Sequence, residues 1–143
     1  MNVSDSERLS GGLKSLGLKS SKDENSDLVV INTCVVRQSA EDTTTGFLGK
    51  LKKIKKDKPK MMIVVMGCMV GPKTNELEKR FPHVDIWAAP QKFQKILDPI
   101  SEIVSKNDLE GCLPDLLPLQ PKIASFVPII HGCNKFCSFC IIP

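Results

Sequence analysis

The stretch MMIVVMGC, residues 61–68, decides the fold of this 143-residue chain. Its first six residues are all apolar, three of them β-branched, and glycine and cysteine follow directly. A short continuous apolar run that begins just after Pro59 predicts a strand buried on both faces. Such strands are typical of parallel sheets that carry helices on either side.

The same pattern occurs upstream, where the run LVVIN at residues 28–32 precedes Cys34 as residues 61–66 precede Cys68. Strands are therefore predicted at residues 28–32, 61–66 and 84–88, and helices at 4–18, 39–56, 74–80 and 91–104. This alternation predicts an α/β fold with a doubly wound parallel sheet and right-handed crossovers, similar to flavodoxin and Rossmann domains.

Local signals set the expected helix ends and inner faces. Ser4 or Ser6 is expected to cap the first helix and Gly17 to end it. In the second helix, the apolar stripe that should face the sheet consists of Phe47, Leu51 and Ile54.

The organisation beyond the sheet changes at about residue 106. Residues 1–105 are predicted to form one domain, and the proline-rich residues 106–122 a linker. Residues 123–143 then begin a second domain, with a strand at 123–130.

Composition indicates an ordinary globular protein, with 41% hydrophobic and 25% charged residues and a net charge of +4. No run of about 18 apolar residues occurs, and the first residues lack the features of a secretory signal. We therefore expect no membrane span and a cytoplasmic location. In a reducing compartment, the six cysteines are better explained as metal ligands than as disulfides.

Three of these cysteines, Cys133, Cys137 and Cys140, follow one another with the spacing C-x3-C-x2-C. An odd number of thiols in so short a segment indicates a shared metal centre. Structural zinc usually takes four ligands, whereas three thiolates on a four-iron cluster leave one iron open to a further ligand.

Cys34 and Cys68 form the second candidate site. In a parallel sheet both would lie at the carboxyl edge, where open α/β sheets bind their ligands. If the two strands are neighbours, the thiols are close enough to share a cluster. Two thiolates alone are one or two ligands short, and buried cysteines also occur as simple packing residues.

These motifs carry a family resemblance. Residues 133–140, with Phe139 before the third cysteine, resemble the radical S-adenosylmethionine (SAM) signature. Residues 126–143 resemble the methylthiotransferase branch of that superfamily, as do INTC at 31–34 and GCM at 67–69. Within the branch, they are more similar to enzymes acting on isopentenylated adenosine in tRNA than to those acting on a ribosomal protein.

The resemblance implies two 4Fe-4S clusters and SAM as cofactors. Cys133, Cys137 and Cys140 would hold the cluster that binds and cleaves SAM, and Cys34 and Cys68 the auxiliary cluster that supplies sulfur. The reaction would add a methylthio group to C2 of N6-isopentenyladenosine next to the anticodon. The implied partners are tRNA and an electron donor such as flavodoxin or ferredoxin, and the protein is expected to be a monomer.

The chain also departs from the family pattern. A third cysteine is expected on a strand ahead of Met1, and a SAM-binding barrel and an RNA-binding domain after Pro143. The sequence is therefore expected to be a fragment that is inactive by itself, which the release of 5′-deoxyadenosine after anaerobic reconstitution would test.

Other classes of function stay open at this point. One is a structural zinc or iron-sulfur module, in which His131 could join the last three cysteines. Another is a metal-free flavodoxin-like binding domain, which the lack of a glycine-rich phosphate loop disfavours. A third is a methylthiotransferase acting on threonylcarbamoyladenosine or a ribosomal protein.

Several further residues receive simpler interpretations. Cys112 matches no motif, and His83, His131 and Trp87 are expected to be structural. The seven lysines between residues 50 and 60 indicate a solvated helix end, with a tRNA phosphate contact as the alternative. Gly67 and Gly132, each directly before a cysteine, are expected to leave room for a cluster.

Overall fold

The computed structural model describes residues 2–24, 26–34, 38–71, 74–104 and 137–138. In chain order the elements are α1 (Asn2–Ser15), β1 (Leu28–Thr33), α2 (Gln38–Asp57), β2 (Met62–Gly67), α3 (Thr74–Arg80), β3 (Ile86–Ala88) and α4 (Gln94–Val104). The predicted linker, the strand at 123–130 and the domain boundary near residue 105 lie outside the described residues.

The three strands form one parallel sheet in the order β1-β2-β3. β1 and β2 pair over their whole length, from Leu28 opposite Met62 to Thr33 opposite Gly67. β3 pairs with β2 over three residues, beginning with Val64 opposite Ile86. The predicted parallel α/β sheet is therefore confirmed.

Alternate residues of β2 face two separate helical layers, as the pleat of a strand requires. Val64 and Met66 pack with residues of α1 and α4, among them Leu9 and Leu97. Ile63 and Val65 pack on the other face; the buried residues there include Leu48, Leu51, Phe81 and Trp87, and Leu77 of α3 lies against them. The sheet is thus doubly wound, with its core divided by β2.

β1 is less buried than its apolar sequence predicts. Its first five residues are half-buried and only Thr33 is fully buried, whereas β2 is buried from Ile63 to its end. The difference arises because β1 is an edge strand of the described sheet, with β2 as its single neighbour there. The expectation of a fully buried first strand was wrong for this reason.

The two ends of α1 give opposite results. The helix begins at Asn2, so that Ser4 and Ser6 lie inside it and are not its caps. Its carboxyl end is as predicted, since Gly17 has a φ of +83°. Leu18 N–H donates to the Leu13 carbonyl (3.1 Å) and Gly17 N–H to that of Lys14 (2.9 Å), the two hydrogen bonds of a Schellman motif.

Other boundaries differ by a few residues. α4 begins at Gln94 and not at 91, because Gln91 has a φ of 65° and Lys92 N–H closes a turn on the Ala89 carbonyl. In α2 the predicted stripe faces the core, with Leu51 fully buried, but the equally buried Leu48 was missed. No described helix is long and apolar enough to span a membrane.

Candidate metal centre

Cys34 and Cys68 directly follow two residues that are paired in the sheet. Thr33 lies opposite Gly67 at the last step of the β1–β2 ladder, and Cys68 N–H donates to the Thr33 carbonyl over 3.3 Å. Both cysteines are half-buried, and neither forms a disulfide. The prediction that these two thiols meet at the carboxyl edge of neighbouring strands is confirmed.

Thr33 fixes the geometry of this edge, although the sequence gave no sign of it. The side chain is 1% exposed. Its Oγ1 donates to the Met66 carbonyl (2.8 Å) and accepts from Met69 N–H (3.3 Å). Thr33 therefore connects the end of one strand to the residues on both sides of Cys68.

Gly67 is required here for a reason other than the expected one. Its φ is +104°, and a Cβ at this position would lie 2.5 Å from the Thr33 carbonyl oxygen and 2.6 Å from Asn32 Oδ1. The space beside Gly67 is thus occupied by β1 itself, and it is not the room for a cluster that we expected. Gly132 lies outside the described residues.

The first turn of α1 covers the same edge. Asn32 Nδ2 donates to Ser6 Oγ over 2.8 Å, which joins the helix to the end of β1. One residue earlier, the Asp5 side chain is 3% exposed, and its Oδ1 has no hydrogen-bond partner among the described residues. The sequence identified Asp5 only as a first-turn acid, so its burial is a feature that the pattern missed.

The local electrostatics disfavour a free thiolate at Cys68. Burial raises the pKa of this thiol above its ordinary value, and the neighbouring Cys34 and Asp5 raise it further, while a backbone hydrogen bond lowers it. A bound cation would have the opposite effect, because metal ligation requires the thiolate. The donor set of two adjacent thiols therefore fits a metal group that brings positive charge.

Geometry also limits which group fits. Among the described residues, no three His, Cys, Asp or Glu side chains are placed to hold one metal ion. An iron-sulfur cluster spreads its protein ligands over several irons, so its donors need not converge on one point. Of the last three cysteines, Cys137 is exposed, and Cys133 and Cys140 lie outside the described residues.

The lysine-rich end of α2 lies at the opposite edge of the sheet. The helix has 20 residues, which corresponds to about 30 Å, and it ends just before β2 begins. Three of its lysines contact acids: Lys50 with Glu24, Lys55 with Asp85 and Lys58 with Asp27. These pairs are what a solvated helix end with structural contacts would show.

His83 and Trp87 have structural positions, as expected. His83 Nε2 donates to the Leu48 carbonyl over 2.9 Å, and Trp87 is 4% exposed beside Phe81. Cys112 and His131 lie outside the described residues.

Comparison with known proteins places the chain in a family. A tRNA-2-methylthio-N(6)-dimethylallyladenosine synthase from Dictyoglomus thermophilum is 37% identical over 155 residues, covering all of this chain and 35% of the relative. Synthases of the same name from Clostridium novyi and Clostridium perfringens are also 37% identical, with all of this chain and 34% and 35% of the relatives covered. The chain thus spans about a third of the length of these curated relatives.

The relatives confirm the resemblance derived from the cysteine motifs. A family model described as uncharacterized protein family UPF0004 matches residues 1–89, which include the whole described sheet and both strand-end cysteines. This chain therefore belongs to the protein family UPF0004.

Proposed function

We propose that this chain forms part of a radical SAM tRNA methylthiotransferase. The reaction would place a methylthio group on C2 of N6-isopentenyladenosine in tRNA, next to the anticodon. Relatives named tRNA-2-methylthio-N(6)-dimethylallyladenosine synthase support this substrate over threonylcarbamoyladenosine or a ribosomal protein. The single observation that carries the proposal is the pairing of Cys34 and Cys68 at adjacent strand ends.

In this proposal the chain holds two metal groups. Cys34 and Cys68 bind an auxiliary 4Fe-4S cluster at the carboxyl edge of the sheet, and Cys133, Cys137 and Cys140 bind the 4Fe-4S cluster that coordinates SAM. When bound, these clusters would supply the electron that cleaves SAM and the sulfur that is transferred.

The protein's own groups orient the auxiliary site. Thr33 keeps the two strand ends together through its hydrogen bonds to Met66 and Met69. Gly67 lets the chain turn sharply into Cys68 while remaining against β1. Both thiols are only half-buried, which leaves a metal group at this edge accessible to a substrate.

The partners follow from the same proposal. tRNA is the substrate, and flavodoxin or ferredoxin is the electron donor that we expect. The cytoplasm is the expected compartment, where tRNA and thiol-reducing systems are present. We expect the protein to act as a monomer.

Metal analysis after anaerobic reconstitution tests the proposal. We expect iron and sulfide for two clusters per chain, and a loss of about half of each in Cys34→Ala and in Cys133→Ala, because each variant removes a ligand from a different cluster. Cys112→Ala is the matched control and should keep the full content. Far-UV circular dichroism should be nearly the same for all of these variants.

Three results would contradict the proposal in different ways. One zinc per colourless chain would indicate a structural zinc module. A protein without metal would favour a metal-free binding domain. Full iron content in Cys34→Ala would remove Cys34 from the auxiliary site.

A further inference from the structure

Asp5 lies at the same edge as the two strand-end cysteines. The hydrogen bond from Asn32 to Ser6 holds the first turn of α1 against the carboxyl end of β1. Asp5, the residue before Ser6, is 3% exposed, and Ser4 is 5% exposed. The turn is therefore packed onto the edge and does not project into solvent.

A carboxylate in this position is unfavourable unless something pairs with it. Removing a charged group from water costs several kcal/mol in proteins when no partner compensates for the lost hydration, on the order of the penalty for other buried ions. Asp5 Oδ1 nevertheless has no hydrogen-bond partner in the described parts of the chain. The oxygen is buried, and its capacity as an acceptor is unused.

The neighbours of Asp5 make the imbalance larger. Its negative charge acts on the Cys68 thiol, which is also influenced by Cys34. Three groups that are anionic when deprotonated thus meet at one edge. A cation bound among them would convert mutual repulsion into attraction.

We propose that Asp5 supplies, through Oδ1, the third protein ligand of the metal group held by Cys34 and Cys68. This inference rests on the proposed function, since it requires the two thiolates to bind an iron-sulfur cluster. The three side chains are not placed to hold one ion, but on a cluster each donor binds a different iron. Cys34, Cys68 and Asp5 form a mixed set of two sulfurs and one oxygen.

The experiment uses the full-length chain with Cys133, Cys137 and Cys140 replaced by serine, so that only the auxiliary site can hold a cluster. In this background we measure iron, sulfide and visible absorption after anaerobic reconstitution. Asp5→Ala is expected to lower the cluster occupancy at limiting iron at least about 10-fold, as loss of a metal ligand or its support does. Asp5→Cys is expected to restore the iron content and to change the electron paramagnetic resonance spectrum of the reduced cluster, since sulfur replaces oxygen on one iron.

Glu7→Gln is the matched control, because it removes one negative charge from the same helix at a half-buried position two residues away. It should keep the full cluster content. Equal iron and sulfide in Asp5→Ala and the parent would overturn the inference, and so would a parent that binds no cluster while Cys34→Ala lowers the iron content of the chain with all its cysteines. If Cys34→Ala has no effect in either background, the proposed auxiliary site itself fails.

The folding of the variants separates ligation from a purely structural role. Asp5→Asn should leave the metal-free protein at least as stable as the parent, because it removes an unpaired buried charge. The same variant should show a smaller rise in melting temperature on reconstitution. A loss of stability without metal, together with an unchanged rise, would contradict a role as ligand.

Discussion

At the scale of single residues, Thr33 holds the candidate metal centre together. Two backbone groups of the neighbouring strand end, the Met66 carbonyl and the Met69 N–H, are both bonded to its buried hydroxyl. Thr33→Val keeps the shape and removes both hydrogen bonds. We expect a loss of about 1–3 kcal/mol in the free energy of unfolding, because buried partners are left unsatisfied.

Urea denaturation measures this loss, and Thr44→Val is the matched control. The Thr44 hydroxyl donates to the Ala40 carbonyl within α2. Removing it should change the stability by less than about 0.5 kcal/mol. Equal effects of the two substitutions would show that Thr33 has no special role.

Gly67 is the second residue on which the edge depends. Gly67→Ala combines a positive φ of +104° with contacts that a Cβ cannot make, and we expect a cost of at least about 2 kcal/mol. Gly46→Ala lies within α2 where no atom is near the new Cβ. That substitution should raise the stability by about 0.5–1 kcal/mol, so that the two changes have opposite signs in thermal unfolding.

His83 makes stability depend on pH. Burial lowers its pKa below the ordinary value; the hydrogen bond to Leu48 and the charge of Asp85 oppose this shift, and Lys52 and Lys55 add to it. The neutral ring is therefore favoured in the folded state. Its contribution is fully present above the unfolded pKa of about 6.5 and is lost as the pH falls through the lower folded value.

Melting temperatures between pH 7.5 and 5 test this dependence. His83→Gln should flatten the fall on the acid side, since an amide can donate to the Leu48 carbonyl and does not titrate. An equally steep fall in this variant would assign the acid sensitivity to other groups.

At the scale of helices and strands, α4 shows how one amphipathic helix secures a face of the sheet. Leu97 is fully buried against β2, whereas Ile103 is 62% exposed on the same helix. Leu97→Ala should cost about 2–5 kcal/mol, and Ile103→Ala should stay within about 0.5 kcal/mol. Chemical denaturation of the two variants measures the difference, and similar losses would mean that α4 does not dock as described.

Sequence patterns predicted the elements of the sheet because continuous apolar runs and helical stripes are local signals. β1 and β2 were placed within one residue of their observed ends. The edge position of β1 could not be predicted, since the run LVVIN resembles that of a central strand. The early start of α1 was missed because Ser4 and Ser6, ordinary capping residues, lie inside the helix.

For the site, the sequence predicted the two cysteines because parallel strands bring their carboxyl ends to one edge. It did not predict Thr33 or Asp5. A threonine in a strand and an acid in the first turn of a helix are both common, and only tertiary contacts determine that these two side chains are buried. The outcome for Cys133 and Cys140 stays a prediction.

At the scale of the whole molecule, a bound metal group would join parts of the chain that are far apart in sequence. Cys34 and Cys68 follow different strands, with the 20-residue helix α2 between them. We expect anaerobic reconstitution to raise the melting temperature by several degrees, because ligands that bind the folded state stabilise it. Scanning calorimetry measures the rise, Cys112→Ala should preserve it, and an equal rise in Cys68→Ala would contradict binding at this edge.

The β1–β2 register has a consequence for how this protein tolerates changes in length. Each cysteine is the next residue after a matched pair, Thr33 and Gly67. Losing a single residue within either strand would turn the following side chains to the other face and separate the sulfurs. Insertions in the surface connection at residues 18–24 would leave the spacing intact. Variation among homologous chains should therefore accumulate in such connections, while strand length stays constant.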